Sequence, residues 1–337
     1  MKWLTLLLCA LTLCAQSGKQ PQLVADGSKV WMAYGDASKV FVRASHDGGQ
    51  TWSAPRFVGD KGKMSLGMRR GPRIAYVRDT LVISAIAGEE GGGKDGDLWA
   101  WRSSDDGMTW SAPSRVNDFD GAAREGLHAM AAGGGKLYAT WLDLRSKGTK
   151  LYGSISNDAG KTWSPNELVY ESPDGTICQC CHPTLLVDSK GKATVMFRNA
   201  LAGNRDMYYL SWGGKAAKFG EGSWQLNACP MDGGSLAYDS KGNLVSVWRR
   251  DKELFLSKAG GKEELIATGR QPIITSTTHG LWMAWTDNNA LWVERPDHKK
   301  EKVTDTATFP SITPMTDGGV ILAYEGANVI EIKRLKP

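Results

Sequence analysis

The stretch TICQCCHPTL, residues 176–185, places Cys178, Cys180, Cys181 and His182 within five positions. Thiols and an imidazole at that density can close a disulfide, hold a soft metal ion such as copper or zinc, or run thiol–disulfide exchange. Cys181 and His182 directly precede Pro183, and Cys229 directly precedes Pro230, so equivalent places in two consecutive parts of the chain carry the same chemistry. The spacing C-x-C-C-H is not a zinc-finger pattern. Three readings stay open: a disulfide from Cys180 or Cys181 to Cys229, a Cu or Zn site built from Cys178, Cys180, Cys181, His182 and Cys229, and a redox-active thiol pair. His128 in EGLHAMAA is a further ligand candidate, and Asp232 in CPMDGG is a carboxylate placed to orient a ligand or cap a turn.

Compartment bears on all three. MKWLTLLLCALTLCA, residues 1–15, has one lysine, an apolar run and small residues before polar QSGKQ, which is a secretory signal layout. Cys14 follows Leu13, where a lipidation site wants a small side chain, so a secreted or periplasmic protein is expected rather than a lipoprotein. With Cys9 and Cys14 in the leader, the remaining cysteines would meet an oxidising environment. No later segment approaches the roughly eighteen apolar residues of a spanning helix, so no transmembrane segment is expected. The net charge of +5 is spread along the chain without a dense basic run, which argues against nucleic acid as a partner. Nothing specifies an oligomeric state.

Strand-like segments that must position these residues recur throughout: KVWMAYGD, TLVISAIAG, KLYATWLD, KATVMFRN, NLVSVWRR, GLWMAWTD and GVILAYEG. Each follows a segment opened by a proline or glycine, at Pro21, Pro72, Gly126, Pro183, Pro230, Pro272 and Pro310. A period of about forty to fifty residues holding three or four strands, with no helix and no composition break, predicts an all-β propeller of seven units in a single domain, 16–337. Three units end in S-x-D-x-G-x-T-W, from Ser45, Ser103 and Ser156. The Asp accepts backbone N–H bonds in a turn, the Gly permits positive φ, and the Trp is expected between blades.

These motifs resemble the Asp-boxes (BNR repeats) of the sialidase superfamily, and the likeness extends through the units over nearly the whole chain. It implies a sialidase-like β-propeller whose Asp-boxes are structural, so Asp47, Asp105 and Asp158 are not expected to be catalytic. Six blades are usual in that family, which leaves six as the alternative to seven.

In a propeller the first strands line the channel, and ligands bind where those strands begin. Two residues before the opening marker stand Arg70 in RGP, Arg124 in REG and Arg270 in RQP, three guanidiniums suited to a carboxylate, sulfate or phosphate. RGPRIAYVRDTLVISA is similar to the sialidase R-I-P region, which implies an acidic glycan or other small anionic ligand held by Arg70 with Arg198 or Arg249. The same resemblance puts a general-acid aspartate in GEEGGGKDGD, with Asp95 and Asp97 as candidates beside Glu89 or Glu90. It also exposes a departure: the family's nucleophilic tyrosine falls on Thr308 or Phe309, and its activating glutamate has no counterpart in CHP or ACP. The chain is therefore read as a sialidase-like binder and possible glycoside hydrolase, or as a metal or thiol protein on that scaffold.

Overall fold

The computed structural model describes residues 18–337, so the expected leader, with Cys9 and Cys14, lies outside the described residues. Seven antiparallel sheets follow one another along the chain: blades 1 (19–60), 2 (73–115), 3 (128–170), 4 (184–218), 5 (234–268), 6 (270–304) and 7 (308–335). Seven units, not six, make the ring. Six blades have four strands and blade 7 has three, and in each blade the strands pair in chain order.

Burial explains why each unit reads as it does. In blade 1 the second strand, Lys29–Asp36, is covered on both faces from Val30 to Gly35, whereas the third, Lys39–Ser45, alternates. The outermost strand of blade 3, Glu167–Tyr170, has no buried residue. Burial therefore peaks at the second strand of each of these blades and falls towards the rim, as expected of sheets packed face to face. Each junction has its own apolar cluster: Trp31 with Leu81 and Trp101 between blades 1 and 2, Val82 with Trp141 between 2 and 3, Tyr138 with Val195 between 3 and 4. Met196 meets Trp248, Val247 meets Met283, Trp282 meets Leu322, and Val30 meets Ile321 to complete the circle.

The innermost strands run from one end of the channel to the other. They begin at Lys19, Arg73, His128, Thr184, Gly234, Arg270 and Thr308, all at the same end, here called the mouth. Connections between blades lie at the mouth, as do the hairpins between second and third strands; Asp-boxes lie between third and fourth strands, at the opposite end.

The three Asp-boxes are nearly superimposable in their bonding. Asp105 accepts from Ser103 Oγ (2.7 Å), Thr109 N (2.9 Å) and Thr109 Oγ1 (2.5 Å), while Gly107 N donates to Ser103 Oγ (2.8 Å). Asp47 and Asp158 repeat this with Ser45 and Thr51, and with Ser156 and Thr162. Trp52, Trp110 and Trp163 each pack at the junction with the preceding blade, as expected. The Thr109 hydroxyl and amide, with Ser103, hold the Asp105 carboxyl down to about 2.

That depression predicts a pH signature. The turn's contribution is complete above the ordinary carboxylate value of 3.8 and disappears as pH falls towards about 2. Thermal unfolding of Asp105→Asn should show a lower midpoint than the parent at pH 7, with the gap closing by pH 2 to 3. A gap unchanged by pH would show that the carboxylate charge is not what the turn uses.

Candidate ligand site at the channel mouth

Three blades start with the same device. The register slips between Lys19 and Gln22, between Arg270 and Ile273 and between Thr308 and Ser311. At each slip the residue before the proline is left-handed: Gln20 (φ 57°), Gln271 (φ 54°) and Phe309 (φ 51°). Such backbone is costly for non-glycine residues, and a following proline restricts it further, so neighbours must hold it.

They do so by hydrogen bonds from blade to blade. Gln271 N donates to Asp232 Oδ2 (2.7 Å), and Gln271 Oε1 accepts from Phe309 N (2.7 Å). Gln20 N donates to Glu325 Oε1 (2.7 Å), and Gln20 Oε1 accepts from Gly71 N. Arg70 Nε donates to Glu125 O (2.6 Å), and Gly233 N to His182 Nδ1 (3.3 Å). These bonds form a girdle through the junctions 5–6, 6–7, 7–1, 1–2, 2–3 and 4–5. Across the mouth, Arg69 reaches from the linker before blade 2 to Pro310 O and Gln271 O (3.1 Å each). Arg73 donates to Gly71 O (2.7 Å), Pro72 O (3.0 Å) and Arg69 O.

Beneath Arg69 the channel widens into a cavity of about 170 Å³ lined from all seven blades. Arg69, Arg73 and His182 face it. Burial lowers the Arg73 guanidinium to about 9, with Arg69 adding repulsion. Burial, then Arg69 and Arg73, push His182 well below the usual imidazole value, so the ring is neutral. His128 is buried as well, with Nε2 2.9 Å from Ser84 Oγ, and its Nδ1 has no partner among the described residues.

The predicted arginines do not converge on one point. Arg70 and Arg124 flank Glu125, whose carboxylate stands 3.8 Å from Arg70. Arg249 and Arg270 influence one another beside Asp232. Arg198 is spent on carbonyls, those of Asp232 (3.1 Å), Arg205 (2.6 Å) and Arg249 (2.8 Å), and its guanidinium lies over Trp224 at 5.3 Å. Arg249 donates to Pro230 O (3.2 Å) and lies 4.0 Å from Asp232 Oδ2. Arg124 and Arg270 are exposed, and neither side chain has a hydrogen-bond or ion-pair partner among the described residues. Burial raises the Asp232 carboxyl against the pull of the Gln271 amide, Arg69 and Arg249.

Asp95 and Asp97 are engaged by their own surroundings. Asp95 accepts from Glu90 N (3.0 Å) and Gly91 N (2.7 Å), and the Glu90 amide holds it below the usual carboxylate value. Asp97 accepts from Asn117 Nδ2 and Gly121 N, each at 2.7 Å. Both carboxylates tie loops together at the mouth of blade 2.

The cysteines gather in the linker before blade 4. Cys178 Sγ lies 3.5 Å from Cys181 Sγ and 3.7 Å from Cys180 Sγ, all three buried and unbonded to one another. The hydrogen bond shared with Cys180 raises the Cys178 thiol to about 11, and burial raises Cys181 to about 12. Cys229 is exposed in the linker before blade 5 and shares a cavity wall with Cys178. His182 turns to the channel and stands outside the trio.

Arg69, Arg73 and the girdle glutamines are the mouth residues that reading by position missed. Two signals were available: MRRGPR sets three arginines around one marker, and Gln-Pro recurs at 20–21 and 271–272.

Two outcomes follow. Arg69→Met leaves the Pro310 and Gln271 carbonyls without their donor and should cost about 1.5–3 kcal/mol in denaturant unfolding; an unchanged midpoint would mean the strut carries no load. His128 and His182 stay neutral in the fold but protonate near 6.5 when unfolded, so stability should drop as pH falls below 6.5. His128→Gln should flatten that slope, and an identical slope would show that His128 is not its source.

The sequence from residue 33 to 221, more than half of the chain, matches the family described as BNR repeat-like domain. No protein of curated function matches the sequence. Among solved structures, the catalytically inactive virginiamycin B lyase from Staphylococcus aureus with quinupristin superposes with a TM-score of 0.60 at 12% identity, covering 96% of this chain and 97% of that one. The Penicillium chrysogenum α-L-arabinanase complexed with arabinobiose gives 0.54 at 13%, covering 95% and 93%. The Fusarium graminearum α-L-arabinofuranosidase with arabinobiose gives 0.51 at 14%, again covering 95% and 93%. At such identities the likeness is one of fold. With seven blades, three Asp-boxes and the match over residues 33–221, the chain belongs to the BNR repeat-like family and folds as a β-propeller.

Proposed function

We propose that this is an exported carbohydrate-binding propeller that takes an anionic saccharide at its mouth, in the cleft between blades 5, 6 and 7. One observation carries the reading: that cleft, about 750 Å³, sets three cations, Arg249, Lys252 and Arg270, against two carboxylates, Asp251 and Asp287, together with Asn288, Asn289 and Thr308. Its volume lies within the range of small-molecule sites, about 300–1,000 Å³. The Arg270 guanidinium, which has no internal partner among the described residues, suits a sugar carboxylate or sulfate, and amide and hydroxyl groups suit the ring hydroxyls. Two solved relatives of the same fold hold arabinobiose, which supports a sugar as the kind of ligand.

Sialidase-type turnover needs a tyrosine nucleophile, and no tyrosine lines this cleft. Thr308 stands on its wall where the resemblance calls for a tyrosine. Tyr324, on the next strand, is wholly buried, and its hydroxyl donates to Glu331 at 2.8 Å. Binding without hydrolysis of sialosides is therefore the reading that the residues support.

Calorimetric titration of the mature protein with a sialylated or uronate-containing oligosaccharide and with its neutral parent tests this. The anionic sugar should bind at least about tenfold tighter, equivalent to about 1.4 kcal/mol, lose that margin in Arg270→Ala, and weaken with added salt. Equal affinity for both sugars, or a margin untouched in Arg270→Ala, would overturn the proposal. A reporter sialoside should remain uncleaved, and release of the reporter would contradict the absence of turnover.

A further inference from the structure

The thiol trio has no part in the cleft between blades 5 and 7, and its geometry points to a separate site. We propose that Cys178, Cys180 and Cys181 bind one Cu(I) ion, with Cys229 as a thiol at the entrance that hands the ion in.

Three observations carry this. First, the sulfurs are already gathered: Cys178 Sγ is 3.5 and 3.7 Å from its two partners, and all three lie within 4.8 Å of one another. Sulfurs around a metal at about 2.3 Å stand about 3.8 Å apart in a tetrahedron, so little movement is needed to enclose an ion. Second, the surroundings are soft. The neighbour packed against the trio is Met68, a thioether, and Arg70 Nη1 lies 3.5 Å from its sulfur. Third, a route exists. Cys178 and Cys229 share the wall of a cavity of about 250 Å³ with Gln179, Arg205 and Asn227.

Charge and coordination choose the metal. Binding replaces the thiol protons, which leave to solvent, and converts three neutral thiols into thiolates without any change of oxidation state. The excess negative charge falls beside Arg198 and Arg249, both close enough to act on Cys181. Structural zinc wants a closed set of four N or S ligands. Three sulfurs are gathered within 4.8 Å of one another, Cys229 adjoins Cys180 but stands outside that group, and the nearest imidazole in sequence, His182, faces the channel with Nδ1 accepting from Gly233 N. Soft sulfur without a fourth hard ligand favours Cu(I).

The test uses the mature protein, reduced and kept without oxygen, titrated with Cu(I) against a coloured Cu(I) chelator and, separately, with Zn(II). The expected result is one copper per chain with a first shell of sulfur only by X-ray absorption, retained when Zn(II) is supplied in excess. Cys178→Ser should weaken copper binding by more than about 100-fold, the upper cost of losing even an outer-shell partner. Cys229→Ser should slow uptake while leaving the final affinity within about tenfold of the parent. Circular dichroism of each variant establishes that it folds; if Cys178→Ser does not, Cys180→Ser serves in its place. No copper taken from the chelator, zinc held in preference, or copper binding intact in the serine variant would each overturn the proposal. So would exported protein that, isolated without reductant, has no free thiol and a mass lowered by lost thiol hydrogens.

Discussion

Everything at the mouth depends on how seven separate sheets are kept in a ring. No strand of one blade pairs with a strand of the next, and blade 7 ends at three strands with none borrowed from the start of the chain among the described residues. Closure rests on apolar contact between blade faces, which is strong but indifferent to small sliding motions, and on directional bonds that fix the registration. Those bonds are concentrated where the innermost strands begin. Asp232, Gln271, Gln20 and Glu325 each satisfy a backbone group in an adjacent blade, and Arg69 ties the linker before blade 2 to blades 6 and 7. A buried carbonyl or amide left without a partner costs about 1–3 kcal/mol, so the girdle resists any displacement of one blade against its neighbour.

That constraint divides the polar residues of the mouth into two sets. Arg69, Arg73, Arg198 and the girdle glutamines are consumed by the scaffold, and their charge or polarity is directed at carbonyls and amides. Arg124, Arg270 and Lys252 are left facing solvent, and Arg270 and Lys252 share a cleft with Arg249. The Asp-boxes, at the other end, use their carboxylates entirely within their own turns. Two features are left on this face: a hydrogen-bonding cleft over blades 5 to 7 that mixes three cationic with two acidic side chains, and a thiol pocket at the linker before blade 4.

Much of this was legible in the sequence, and the failures have a physical cause. The number of blades, the strand order within each and the place of the Asp-box tryptophans follow from periodicity, because every unit buries the same faces. The mouth location of the cysteines follows from their position before Pro183 and Pro230. Counting back from Pro72 selects Arg70, but the backbone there does not keep strand parity. Met68 and Arg69 are both left-handed, with φ of 56° and 60°, so Arg69 rather than Arg70 points across the channel. His182 is likewise turned from the cysteines into the channel by a bond from Gly233 that no spacing rule reveals. Asp95 and Asp97 looked available because a glycine-rich loop hides how many of its own amides need an acceptor.

A crystal structure of the protein grown with an acidic disaccharide tests the division of faces most directly. The expected density places the sugar between blades 5, 6 and 7, with its carboxylate or sulfate within hydrogen-bond distance of Arg249 and Arg270 and the girdle bonds intact. Density on the Asp-box face, or in the cleft but with the anionic group turned away from both arginines, would contradict it.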